Sequence, residues 1–355
     1  MEKIQFLKGN EAIAEAAIRA GIDAFFGYPI TPQTEIMEYM IDQNDARACG
    51  VEILQAESEI AAINMVYGAA SAGRRVMTST SSPGLSLMME GISYIAGAEL
   101  PCVIVDVARG GPGLGTIQPA QSDYFQVVKG GGHGDYKMLV LAPASVQEMA
   151  DFVAPAFEIA FRYRNPVMIL SDGVIGQMME KVVLPDALGK ITTYPDWATT
   201  GKKPGQTRHH ITSLNLEPLK QEAHNLHLQS KYKRMQEVEV KYEMMGCEDA
   251  DYVMVAYGAS ARIAQKSMQR LRQRGIKVGI LRPITLFPFP SEPLFELAAR
   301  VKGFLAVEMS CGQMVEDVQL AVKGRARVEH YGRMGGLVHA PDDIVHGFET
   351  LFLKS

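Results

Sequence analysis

The residues best suited to chemistry in this chain lie in short polar loops that follow apolar runs. The loop Gly27–Pro32, Gly-Tyr-Pro-Ile-Thr-Pro, follows the apolar run 22–26. Each proline fixes its own φ and keeps the residue before it out of the helical region, so we expect Tyr28 and Thr31 to be extended at a strand end. The Thr31 hydroxyl could then face a ligand. A plain connector, with Thr31 as helix N-cap and Pro32 as the first helical residue, fits the same pattern.

A second loop, Glu57-Ser58-Glu59, opens a helix predicted over residues 58–72. Ser58 is a suitable N-cap, which places Glu59 in the first turn. One interpretation is an acid that complements the helix dipole. However, the apolar residues 60–63 that follow would bury this turn, and a carboxyl buried there could share a proton with a ligand nitrogen.

A third loop begins at Arg109, directly after the very apolar run 102–107, which we expect to be a central strand. An arginine at this position can hold a carboxylate through two parallel hydrogen bonds. The glycine-rich residues 110–115 do not lead into a helix, so a nicotinamide-dinucleotide site is a weak interpretation. Ser82 ends another polar run, and His133 lies in the glycine-rich loop 129–135, which could close over a site or simply turn the chain.

These loops require a sheet that places them side by side. Apolar strands and helices alternate up to about residue 185, which predicts an α/β fold with a doubly wound, mostly parallel sheet. We expect a first domain over residues 1–190, a loop and helical connector over 191–246, and a smaller C-terminal α/β domain with four strands over 247–355. Strands are predicted at 22–26, 51–55, 75–79, 102–107, 138–141, 167–170, 252–256, 277–281, 304–307 and 327–330.

The composition excludes several classes of protein. The chain has 355 residues, 47% of them hydrophobic, and a net charge of −5, so it carries no basic footprint for nucleic acid or an anionic membrane. The sequence shows no signal peptide and no apolar run that could span a bilayer, which predicts a cytoplasmic protein. Its four cysteines are far apart, so neither a zinc ribbon nor an iron–sulfur cluster is encoded. The His224/His227 pair lacks further ligands, and we expect no metal site.

Taken in order, these loops are similar to the motifs of one family. The chain resembles the α subunit of thiamine-diphosphate-dependent 2-oxoacid:ferredoxin oxidoreductases, and the C-terminal motifs at 308–309, 312–314 and 331–333 look closest to the branched-chain (3-methyl-2-oxobutanoate) members. The motifs that carry the resemblance are Gly9–Ala12, Tyr28–Pro32, Gln55–Glu59, Thr78–Gly84, Ala108–Pro112, Gly131–Asp135 and Arg282–Pro290.

The resemblance implies a pyrimidine-binding-type domain, a transketolase C-terminal-like domain and an active site shared between chains. A β subunit would bind the thiamine diphosphate through Mg²⁺. Iron–sulfur clusters would lie on the β subunit and a ferredoxin-like δ subunit, with a γ subunit completing the complex. The substrates would be a 2-oxoacid and coenzyme A, and ferredoxin would be the electron acceptor. In this chain Ser171-Asp172-Gly173 lacks the remaining residues of the diphosphate motif.

The resemblance also implies roles for individual residues. Glu59 would hydrogen-bond the aminopyrimidine ring and so promote loss of the thiazolium proton. Thr31 and Arg109 would bind the 2-oxoacid. Tyr28, Pro29 and Ile30 would contact the cofactor, and Ser82 and His133 are further loop candidates. Three alternatives stay open: a 2-oxoglutarate- or pyruvate-specific member, a non-oxidative thiamine-diphosphate enzyme subunit, and a non-catalytic scaffold.

Overall fold

A computed structural model of the chain describes residues 4–42, 46, 48–202, 204–205 and 207–354. Among these residues, the larger sheet has seven strands in the spatial order β12-β6-β7-β5-β4-β2-β3. All neighbours pair in parallel except β12 and β6. The strands are β2 (Ala24–Gly27), β3 (Glu52–Gln55), β4 (Val76–Thr80), β5 (Cys102–Ala108), β6 (Leu139–Leu141), β7 (Pro166–Asp172) and β12 (Thr285–Phe287).

Helices cover both faces of this sheet, as a parallel sheet buried on both sides requires. Strands β4, β5 and β7 are buried along their whole length. The helices are α1 (Gly9–Arg19), α2 (Thr34–Asp42), α3 (Glu59–Ser71), α4 (Ser82–Gly97), α5 (Val146–Asp151), α6 (Val153–Tyr163) and α7 (Gly173–Gln177), together with a π-helix at Phe125–Gly130.

The second sheet has five strands in the described residues, in the order β14-β13-β10-β11-β9. Its strands are β9 (Tyr242–Met245), β10 (Tyr252–Val255), β11 (Val278–Pro283), β13 (Gly303–Glu308) and β14 (Arg327–Gly332). Its helices are α9 (Gly258–Gln273), α10 (Ser291–Leu297), α11 (Met314–Val322) and α12 (Pro341–Phe352). The polar helix α8 (Pro218–Val238) precedes it, and a small ribbon of β1 (Ile4–Lys8) and β8 (Met179–Val183) flanks α1.

The predicted α/β fold with a central β5 is confirmed, but the strands β1, β8, β9 and β12 were not predicted. The second sheet has a fifth strand, β9: residues 242–245, three of them exposed, pair antiparallel with β11 at a sheet edge. Strand β12 leaves the second half of the chain and joins the first sheet beside β6. No helix among the described residues is long and apolar enough to cross a bilayer.

Candidate active site

The carboxyl ends of β5, β4, β2 and β3 lie next to one another at a single edge of the first sheet. The four strands run parallel, so the loops that leave them meet at this edge. Ligands of open α/β sheets bind in the crevice outside such strand ends. The edge therefore brings together the loop at 28–33, the start of α3, the start of α4 and the residues after β5.

The two-proline loop is a fixed turn, and Thr31 is not the helix N-cap. Helix α2 begins at Thr34, because the N–H of Gln33 donates to the Ile30 carbonyl at 3.0 Å and closes a turn first. The connector interpretation with Pro32 as the first helical residue is thus wrong. Thr31 is exposed, whereas residues 28–30 are half-buried.

Three buried or half-buried amides hold this loop in place. The Pro32 carbonyl accepts from Asn10 Nδ2 at 2.6 Å and from Gln177 Nε2 at 2.8 Å. The Gln33 side chain donates to the Tyr28 carbonyl at 3.2 Å and accepts from Ser79 Oγ at 2.5 Å. Sequence reasoning missed these roles because every bond except that to Tyr28 joins segments far apart in the chain.

Arg109 lies at the same edge and contacts the two-proline loop. Its side chain is buried, and Nη1 donates to the Thr31 carbonyl at 2.8 Å while Nη2 donates to the Leu114 carbonyl at 3.3 Å. The buried Nε atom has no hydrogen-bond partner within the described residues. The structure thus brings together Thr31 and Arg109, and it leaves the guanidinium with unused donor capacity.

Glu59 begins α3 and is 5% exposed. The Ser58 hydroxyl accepts from the Ala61 N–H at 3.2 Å, which confirms the predicted cap. Helix α4 approaches the carboxylate closely at Gly84, where an added Cβ would lie 2.5 Å from Glu59 Oε1 and 2.2 Å from Thr80 Oγ1. No hydrogen bond or ion pair joins the Glu59 carboxylate to another described residue, and the buried Thr80 hydroxyl beside it also lacks a partner.

Ser82 connects Arg109 to two buried acids that sequence reasoning did not select. The Ser82 hydroxyl donates to Asp123 and accepts from the Arg109 N–H at 3.0 Å, while the Ser82 N–H donates to Asp106 Oδ1 at 3.1 Å. Burial, together with the neighbouring Asp123 charge, raises the pKa of Asp106 well above its usual range. Burial also raises the pKa of Asp123. The available signal was Asp106 itself, an acid inside the otherwise apolar strand Cys102–Ala108.

His133 is not brought to this edge. Its ring packs edge-on against Tyr94 at 6.0 Å between centroids, and its carbonyl accepts from Ser93 Oγ at 2.7 Å. Because a helix rises 1.5 Å per residue, Ser93 lies roughly 16 Å along α4 from Ser82. The loop around His133 therefore contacts the opposite end of the helix whose first turn reaches the candidate site.

A cavity of about 450 Å³ opens beside the site, between the first and second sheets. The lining from the first unit, the part of the chain around the seven-stranded sheet, includes Ser82, Arg109 and Asp123. The lining from the second unit, around the five-stranded sheet, includes Met309, Cys311 and Met334. Within the described residues, no three His, Cys, Asp or Glu side chains are grouped to hold a metal ion.

The remaining candidate ligands have structural partners. His224 Nε2 contacts the Gly97 carbonyl at 2.7 Å, and His227 Nε2 contacts Glu99 Oε1 at 3.0 Å. Asp172 accepts from the N–H groups of Val174 and Ile175, and its second oxygen accepts from the Ala259 N–H at 3.0 Å. Asp172 thereby caps α7 and joins the two units of the chain.

Two solved structures share this architecture. Over 97% of its length the chain superposes on a split-gene transketolase, an inactive β4 tetramer, with a TM-score of 0.61 at 15% sequence identity, a likeness of fold alone. The structure of 2-oxoglutarate:ferredoxin oxidoreductase from Magnetococcus marinus, with 2-oxoglutarate, coenzyme A and succinyl-CoA bound, is nearer. The TM-score is 0.86 at 29% sequence identity, and the match covers 98% of this chain. The solved chain is longer, and this chain spans 65% of it, just under two thirds.

Sequence comparisons define the family. The thiamine-diphosphate-binding model of pyruvate flavodoxin/ferredoxin oxidoreductase matches residues 15–246, and the model of pyruvate:ferredoxin oxidoreductase core domain II matches residues 250–344. The ketoisovalerate oxidoreductase subunit VorB of Methanothermobacter thermautotrophicus is 52% identical, over 94% of this chain and 93% of that protein. The 2-oxoglutarate synthase subunit KorA of Methanocaldococcus jannaschii is 36% identical, over 96% and 98%.

The chain belongs to the 2-oxoacid:ferredoxin oxidoreductase family, whose members bind thiamine diphosphate. The resemblance drawn from the ordered motifs is confirmed. The VorB relative is named as a subunit of an oxidoreductase.

Proposed function

We propose that the chain is the α subunit of an oxidoreductase that converts 3-methyl-2-oxobutanoate and coenzyme A to the acyl-CoA and CO₂, with electrons passed to ferredoxin. The relative named for ketoisovalerate, the same 2-oxoacid, shares 52% of its residues with this chain, against 36% for a relative named for 2-oxoglutarate. The observation that carries the proposal is the buried Glu59 carboxylate, which has no partner among the described residues, at the same sheet edge as Arg109.

The residues around Glu59 fit the aminopyrimidine ring of thiamine diphosphate. A buried carboxylate and the partnerless Thr80 hydroxyl leave polar atoms that a ring nitrogen and an amino group would satisfy. When bound, thiamine diphosphate supplies the electron sink for decarboxylation of the 2-oxoacid. Glu59 would hold a proton at the ring nitrogen, and residues 28–30 would line the ring.

Arg109 and Thr31 would bind the substrate. The Arg109 guanidinium already has two of its nitrogens on the Thr31 and Leu114 carbonyls, so its orientation is fixed before a carboxylate arrives. Such preorganisation lowers the cost of placing the reacting carbon. The exposed Thr31 hydroxyl would donate a hydrogen bond to the 2-oxo group. The Ser82 hydroxyl would hold the backbone of Arg109 in place by accepting its N–H.

The rest of the enzyme would come from partner subunits. A β subunit would supply the diphosphate site with Mg²⁺, and the β and δ subunits would carry the iron–sulfur clusters, with a γ subunit completing the assembly. This arrangement follows the family resemblance, and co-purification of the co-expressed subunits, with metal analysis of each, tests it directly.

The test of catalysis is Glu59→Gln in the complex reconstituted with its partners. Viologen reduction should require the 2-oxoacid, coenzyme A and thiamine diphosphate. We expect the substitution to lower kcat by about 10²–10⁴-fold, the usual range for loss of a positioned acid–base group. The matched control is Glu57→Gln, an exposed acid two residues earlier, which should leave kcat unchanged.

Unchanged turnover in an assembled Glu59→Gln complex would exclude this role. A wild-type complex that prefers 2-oxoglutarate or pyruvate would exclude the branched-chain substrate. Decarboxylation without acceptor reduction would instead identify a non-oxidative enzyme.

A further inference from the structure

We propose that Asp106 and Asp123 form a carboxyl pair that shares one proton and positions Arg109 through the Ser82 hydroxyl. The inference rests on the proposed function, because it treats Arg109 as the group that binds the substrate carboxylate. Asp106 and Asp123 are positioning residues, since neither is assigned a contact with the substrate.

The hydrogen bonds from Arg109 to Ser82 and from Ser82 to Asp123 run in one direction. The single proton of the Ser82 hydroxyl is donated to Asp123 Oδ2, which leaves an oxygen lone pair to accept the Arg109 N–H at 3.0 Å. The N–H of Ser82 donates to Asp106 Oδ1 at 3.1 Å. The first turn of α4 is therefore fastened to the end of β5 at the residue whose guanidinium reaches Thr31.

Only one of the two buried carboxyl groups, Asp106 and Asp123, can be ionised at a time. Asp106 is 0% exposed and Asp123 is 7% exposed. Two adjacent ionised carboxylates in such a place would repel each other and lose hydration, so one of them retains a proton.

The geometry places that proton on Asp106. Asp123 accepts the Ser82 hydroxyl and feels the nearby Arg109 charge, and both favour its ionised form. Asp106 accepts one backbone N–H, and its Oδ2 meets no donor among the described residues. This oxygen is free to carry the proton and donate it to Asp123.

One negative charge on Asp123 then faces the positive charge of Arg109. The backbone of Arg109 is held by Ser82, and its side chain is held by the two carbonyls. A side chain restrained at both ends loses less entropy when it binds a carboxylate. Loss of the Asp123 charge would free the Ser82 proton to turn to the Arg109 carbonyl, which lies 3.2 Å from Ser82 Oγ, and Ser82 would then no longer link Arg109 to Asp123.

The experiment compares Asp106→Asn with Asp123→Asn and Ser82→Ala in the reconstituted complex. An asparagine at 106 has the shape of a protonated carboxyl and can still donate to Asp123, so KM for the 2-oxoacid should stay within about twofold. Asp123→Asn and Ser82→Ala should each raise KM by about tenfold, with a much smaller change in kcat. The control is Glu239→Gln, a buried acid bonded to Arg162 and Tyr163, which should leave KM unchanged.

Equal increases in KM for Asp106→Asn and Asp123→Asn would overturn the proton assignment, and no increase for Asp123→Asn and Ser82→Ala would overturn the positioning role. Infrared difference spectra of the full chain add a second readout, in which the wild type should show a protonated-carboxyl C=O band that Asp106→Asn lacks. Absence of that difference also overturns the pair. If the wild-type complex oxidises no 2-oxoacid, the proposed function fails, whereas the infrared band still reports on the pair.

Discussion

The Arg109 side chain joins two loops that are far apart in the sequence. Its backbone directly follows β5, while its guanidinium contacts the carbonyl of Thr31 and, in its own loop, that of Leu114. The sequence predicted Arg109 and Thr31 as site residues from their loops, but it could not predict this contact. Asp123 was also invisible, since an acid in a loop becomes unusual only when folding buries it beside another acid.

At the scale of a single residue, the substitution Arg109→Lys tests how Arg109 binds the substrate. A lysine ammonium can reach one of the two carbonyls but lacks the planar fork, so the orientation and the paired donors toward a carboxylate are lost. We expect KM for the 2-oxoacid to rise by about 10–100-fold, equivalent to about 1.4–2.7 kcal/mol of binding free energy. Steady-state kinetics of the reconstituted complex measure this change in KM. Arg270→Lys, at a surface ion pair with Asp342, is the control, and an unchanged KM for Arg109→Lys would contradict the clamp.

At the scale of elements, the strands and helices that build the site follow from local sequence. The apolar runs before the polar loops gave β2 to β5 within a few residues, and Ser58 marked the start of α3. The elements that were missed are edge strands such as β1, β9 and β12. They are short, and their partners lie far away in sequence, so no local pattern encodes their pairing.

At the scale of helices and strands, the testable feature is the Ser58 N-cap of α3. Ser58→Ala removes the acceptor of the Ala61 N–H and should lower the free energy of unfolding by about 1 kcal/mol. Ser145→Ala removes the equivalent bond to the Glu148 N–H at the start of α5 and should cost a similar amount. Because Glu59 is the first residue of α3, we expect only Ser58→Ala to lower kcat as well. Urea unfolding and kinetics measure the two effects, and an equal loss of kcat in both variants would mean that capping at α3 has no special link to the site.

At the scale of the whole molecule, the candidate site depends on how the two units are joined. Strand β12 closes the edge of the first sheet, and Asp172 receives the N–H of Ala259 from the start of α9. The Gln121 side chain also connects the units. Its amide donates to the Tyr257 carbonyl at 2.9 Å and accepts from Ser260 Oγ at 2.7 Å and from the Met309 N–H at 3.0 Å. Met309 also lines the cavity shared with Arg109, so this junction shapes the site.

Gln121→Ala should therefore weaken the junction more than an ordinary hydrogen-bond deletion would. It leaves the buried Met309 N–H and Ser260 hydroxyl without their acceptor, at about 1–3 kcal/mol for each group, so we expect the free energy of unfolding to fall by roughly 3 kcal/mol. If the units then unfold separately, the urea transition should also broaden. Gln147→Ala is the matched control, because Gln147 bonds to Val183 within the first unit near the surface and should cost less than about 1 kcal/mol. Equal losses in the two variants would show that Gln121 is an ordinary surface-like contact, and the joining of the units would then rest on β12 and Asp172.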